Sequence, residues 1–116
     1  MIEGPTGQLW MTSVADAKRL VEACFSARTS DALLHPPNLP PGFFDLSTGV
    51  AGECLQKWRN YRIRVAVLAP PGTVSPSSRF AEMLAEESRK GSFRMFEARE
   101  PAIEWLEDVG DEAGGG

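Results

Sequence analysis

Histidine and cysteine are scarce in this chain. One histidine and two cysteines stand among 116 residues, and neither cysteine belongs to a CxxC pair or a Cys/His cluster. That excludes the common zinc frameworks, whose ligands recur at short fixed spacings, and it excludes a disulfide-built scaffold. No P-loop, GxGxxG or Ser-His-Asp order occurs, so the usual phosphate cradle and nucleophile triad are missing. No apolar run approaches the roughly 20 residues of a membrane-spanning helix. Met1 to Gly7 lacks the charged-then-apolar pattern of a secretory leader. Basic residues are outnumbered, 12 Lys and Arg against 16 Asp and Glu, giving a net charge of −4. That balance argues against nucleic-acid binding through overall charge. These absences lead to a cytoplasmic protein with no metal, no cofactor and no membrane contact, and with Cys24 and Cys54 as buried free thiols.

What is present reads as one soluble domain. A hydrophobic fraction of 42% and a charged fraction of 24% are ordinary for a globular chain of this length. The expected domain covers residues 1–109, and the acidic, Gly-rich stretch 110–116 reads as a disordered tail. No internal repeat is visible.

The most informative stretch runs from Pro40 to Trp58. A proline turn and the pair Phe43-Phe44 come first. Asp45, Ser47, Thr48 and Gly49 follow, residue types whose side-chain oxygens accept from unpaired N–H groups at a helix start. The helix they open is predicted from Leu46 or Ser47 to Asn60. Ala51, Cys54, Leu55 and Trp58 recur at i, i+3, i+4, i+7 and form its core side. Gly49, Gly52, Glu53, Gln56 and Asn60 form a small, polar side. Glycine inside a helix costs roughly 1 kcal/mol relative to alanine, so two of them call for a packing or binding reason.

Elsewhere, residues 1–6 read as a loose lead-in and Gln8-Leu9-Trp10-Met11 as a short first strand. Thr12 or Ser13 caps a helix whose Val14, Ala17, Val21, Cys24 and Phe25 share one side. Asp31 to His35 is a strand stopped by Pro36-Pro37. Tyr61 to Ala69 alternates, with Ile63, Val65 and Val67 opposite Arg62, Arg64 and Ala66. Ser75-Pro76 opens a helix that Gly91 ends, Ser92 to Phe96 is the last strand, and Glu100-Pro101 opens a final helix. The order β-α-β-α-β-α-β-α predicts an α/β domain with a mainly parallel four-stranded sheet and helices chiefly on one face. The other face is expected to be partly open and to carry Arg62, Arg64 and Arg94 as a candidate basic patch.

Each candidate residue has a plain and a functional reading. Asp45, Ser47 and Thr48 are helix caps or an anion or modification site. Gly49 and Gly52 are tight-packing positions or points of close approach by a partner. Glu53 is a solvated helix charge or an acid/base group. His35, at a strand's carboxyl end, is structural or shares the rim with Asp45 or Glu53.

The runs "FFDLSTGVAGECLQKW" and "NYRIRVAVL" resemble the bacterial family catalogued as domain of unknown function 4180. "SSRFAEMLAEESRKG" and "AIEWL" are similar to that family's downstream helices. The resemblance implies a small cytosolic bacterial protein with a STAS-like α/β fold, and it implies no reaction. Arg89 stands where the family is expected to carry asparagine, and Ala69 to Gly72 is richer in proline than the family pattern. Asp45 to Gly49 is also similar to the Asp-Ser-Ser-Gly element of STAS-domain anti-sigma antagonists, with one extra residue. The functional expectation is a non-enzymatic binding or regulatory module. It would contact a protein partner or a second copy through Asp45, Ser47, Thr48, Gly49, Gly52, Glu53 and Gln56, or through the open sheet face. The alternative is a small-molecule binder or small enzyme with a pocket around His35, Asp45, Ser47, Thr48 and Glu53.

Overall fold

The computed structural model describes residues 1–74 and 78–115, with side chains to Glu107 apart from 75–77. The expected Ser75-Pro76 helix start therefore lies outside the described residues, and the expected tail at 110–116 lies outside those whose side chains are described. Four parallel strands pair in the order β1-β2-β3-β4: β1 Ile2–Glu3, β2 Asp31–Leu34, β3 Arg64–Leu68 and β4 Phe93–Phe96. Between and after them run α1 Ala17–Ala27, α2 Val50–Asn60, α3 Ser78–Lys90 and α4 Arg99–Gly115. Short 3-10 turns lead into α1 (Val14–Asp16) and α2 (Leu46–Thr48). The register sets Ala32 beside Val65 and Val65 beside Phe93. Every β-to-β connection is parallel, as alternating strands and helices require.

The larger core lies on one face of the sheet. Ala32, Leu34, Val65, Val67 and Phe93 meet Leu20 and Cys24 of α1, Cys54, Leu55 and Trp58 of α2, and Phe80 of α3. Phe43 is the centre of its aromatic part, with ring centroids 5.2 Å from Phe44, 5.9 Å from Phe93 and 6.2 Å from Phe80. The Trp58 indole N–H donates to the Ala17 carbonyl at 3.0 Å, so α2 is tied to the start of α1 by a buried polar bond as well as by apolar contact.

Two expectations are corrected. The first strand is Ile2–Glu3, not Gln8–Met11. Its ladder continues as the Gly4 N–H donates to the Leu33 carbonyl at 2.9 Å. The chain at 5–11 is held instead by the fully buried Asn38, whose Nδ2 donates to the carbonyls of Pro5 (2.7 Å) and Gln8 (2.9 Å). Met11 is apolar because it plugs the core, not because it lies in a sheet.

The second sheet face is not open where the arginines were expected. Helices α1 to α3 lie on the first face, and α4 covers the second, where Leu33 and Ala66 meet Ala102 and Leu106. Arg64 is 8% exposed beneath it. Its Nε donates to the Gly91 carbonyl (2.8 Å), its Nη1 to the carbonyls of Trp105 (3.0 Å) and Leu106 (3.3 Å). Hydrogen bonds and an aromatic face are what allow a guanidinium to be buried at all.

Candidate functional site

The chain leaves β2 at Leu34, turns through prolines, buries Phe43 and arrives at Asp45 beside the start of α2. Asp45 is extended, and its Oδ1 accepts from the Ser47 N–H (3.1 Å) and the Ser47 hydroxyl (2.6 Å). Those two bonds hold its carboxyl below the usual carboxylate range, the hydroxyl contributing most. The Thr48 hydroxyl lies 2.7 Å from the Gly42 carbonyl and 2.8 Å from the Asp45 carbonyl, and it accepts from the Val50 N–H at 3.2 Å. Gly49 has φ +75, the left-handed conformation that glycine adopts at least cost. Asp45, Ser47 and Thr48 are thus engaged in shaping the turn into α2. Asp45, Leu46 and Ser47 also line a cavity of about 270 Å³ with Arg79 of α3.

The polar side of α2 faces outward. Gly52, Glu53, Gln56 and Asn60 are exposed. Glu53, Gln56, Lys57 and Asn60 line a groove of about 420 Å³ with Val14 and Tyr61. A Cβ built on Gly49 or on Gly52 meets nothing within 4 Å, so neither glycine is a notch against a neighbouring element. Gly49 is explained by its backbone conformation. Gly52 is in a helix with free space above it, and no contact among the described residues accounts for it.

His35 joins neither place. Its Nε2 lies 2.9 Å from Glu3 Oε2, and Arg99 grips the same carboxylate with Nη1 at 2.9 Å and Nη2 at 2.5 Å. Glu3 ends β1 opposite Leu33 in register, so this cluster lies on the α4 side of the sheet, whereas α2 lies on the other. Arg99 chiefly, with His35 adding to it, brings the Glu3 carboxyl down to about 2. Glu3 and Arg99 escaped the sequence reading because a two-residue strand has no periodicity to detect. Their pairing spans nearly the whole chain.

The three arginines of the anticipated patch part company. Arg64 is under α4, Arg62 is exposed with φ +58 after α2, and Arg94 is exposed over the Phe96 ring, 5.2 Å from its centroid. Cys24 and Cys54 are free and fully buried, and burial pushes both thiols up to about 11. Among the described residues no group of three or more His, Cys, Asp or Glu side chains converges as a metal site would require. None of the described helices is long and apolar enough to cross a membrane.

No curated protein and no solved structure matches the chain. A family model does match, over residues 2–106, which takes in all four strands and the helices up to Leu106 of α4. The chain therefore belongs to the family described as "Domain of unknown function (DUF4180)".

Proposed function

We propose that this protein is a non-enzymatic binding module that contacts a protein partner through the outer side of α2. The reading fits a STAS-like regulatory domain of the bacterial cytoplasm. The observation that carries it is the exposed Gly52-Glu53-Gln56 side of α2 with its open groove, where no described residue comes within 4 Å of a Cβ built on Gly52. A glycine standing on a bare helix surface, where alanine is the better helix former, fits a surface that something else approaches closely. The alternative of an enzyme pocket is weakened by the dispersal of its members. His35 is with Glu3 and Arg99, Asp45 and Ser47 line a cavity with Arg79, and Glu53 lines the α2 groove.

The test uses wild type and Gly52→Arg as paired baits, followed by reconstitution with any purified protein that wild type alone retains. Binding to wild type and loss in a folded Gly52→Arg supports the reading. A partner retained equally by both, or no reconstituted complex and no concentration-dependent self-association by sedimentation, counts against it.

A further inference from the structure

Just past the ends of two helices the chain places an arginine in a conformation that favours glycine. Arg28 follows α1 with φ +56, and Arg62 follows α2 with φ +58. Between them the largest exposed aromatics of the described surface meet: Phe25 is 62% exposed and Tyr61 50%, edge to face with centroids 6.0 Å apart. Phe25 and Arg28 line one shallow depression with Thr29 and Ser30. Tyr61 lines the α2 groove with Lys57. None of Arg28, Lys57 and Arg62 forms an ion pair with a described residue. Glu53 in the groove, the exposed Glu22 one turn before Phe25, and Asp31, which follows Ser30 and acts on Cys24 of the same depression, are acids at its margin. An exposed apolar pair is thus flanked by three cations that have no ion-pair partner among the described residues, on a chain of net charge −4.

We propose that this surface docks an acidic protein segment carrying apolar anchors. The proposal rests on the reading of α2's outer side as a docking face and adds the chemistry of the occupant. The rings supply apolar area, and the arginines supply planar forks that match carboxylates. A covering partner removes the water that otherwise weakens those pairs. Two other occupants fit less well. A symmetric contact between copies sets this face against itself and brings cation against cation. A nucleic acid meets the net negative charge of the whole chain, and edge-on rings form no flat stacking platform.

The experiment uses the full chain and three labelled probes: a short peptide of Glu, Asp and Leu, the same peptide with Lys at every acidic position, and single-stranded oligothymidine. Fluorescence anisotropy gives affinity, and amide shifts of the nitrogen-15-labelled protein give location. The acidic peptide is expected to bind, to move the amides of Phe25, Arg28, Lys57, Tyr61 and Arg62, and to weaken with salt. Arg28→Gly/Arg62→Gly is expected to bind it roughly tenfold more weakly, from the loss of two charge pairs. Glycine suits both backbone conformations, so this variant stays folded and its loss of binding is not a loss of structure. Equal binding of the acidic and Lys peptides overturns the acidic assignment. If Phe25→Ser/Tyr61→Ser then abolishes both, the docking reading of α2 survives without it. Unchanged affinity in the arginine variant, tighter binding of oligothymidine, or no binding of the acidic peptide each overturns the proposal.

Discussion

The guanidinium carbon of Arg64 lies 3.8 Å from the centroid of the Trp105 ring, and its Nη1 donates to the carbonyl of that same tryptophan. One side chain at the start of β3 therefore fastens α4 to the second face of the sheet by charge, hydrogen bond and ring contact together. Removing it takes the side-chain donor from the Gly91 carbonyl, breaks its bond to α4 and loses the cation–ring attraction. Arg64→Ala is expected to lower stability by about 2–3 kcal/mol. Arg64→Lys recovers only part of this, because an ammonium cannot reach several carbonyls in a fixed fork. Urea denaturation midpoints measure both, and an Arg64→Ala midpoint equal to wild type contradicts the assignment.

Glycine to alanine gives opposite signs at two positions three residues apart. Gly49 has φ +75, so Gly49→Ala is expected to cost about 1 kcal/mol of stability. Gly52 is helical with nothing within 4 Å of a built Cβ, so Gly52→Ala is expected to stabilise by about 0.5–1 kcal/mol. If a partner approaches α2 closely, Gly52→Ala gains stability and loses affinity together. Thermal melts with a partner-binding assay read both, and a destabilised Gly52→Ala disproves the open-surface description.

Acid should release β1 before it unfolds the rest. The folded Glu3 carboxyl is held at about 2, against 4.5 for an unperturbed one, so the unfolded chain takes up its proton at higher pH. The pair's stabilisation is complete above about 4.5 and is lost as pH falls toward 2. At a solvent-washed rim that amounts to about 1 kcal/mol. Stability measured down this pH range should fall more gently in Glu3→Gln than in wild type. Identical slopes rule the coupling out.

Both thiols should resist alkylation in the native protein. Cys24 and Cys54 are fully buried, with the thiol shifted up to about 11, so neither access nor thiolate is available near neutral pH. Modification by a thiol reagent should track unfolding, accelerating with added urea. Rapid native labelling of either cysteine, followed by mass spectrometry, refutes this placement.

The elements with strong periodicity were legible. Cys54, Leu55 and Trp58 are core residues of α2, as their spacing requires, and Val65 and Val67 share a face, as alternation requires. The family resemblance was legible too, because it is carried by contiguous residues. Ile2–Glu3 was not, since two residues form a strand only when a neighbouring edge recruits them. Arg64 was not either. Local pattern assigns an arginine to water, and only the arrival of α4, some forty residues later, supplies the carbonyls and the ring that make its burial favourable.

Helix and strand type, the aromatic plug at Phe43 and the capped turn at Asp45 follow from short-range steric and hydrogen-bonding preferences, which neighbouring residues carry in full. The joining of His35 to Glu3 and Arg99, the covering of the second sheet face and the meeting of Phe25 with Tyr61 arose otherwise. Each depends on the three-dimensional path that brings distant side chains within a few ångströms, and no local preference encodes that path.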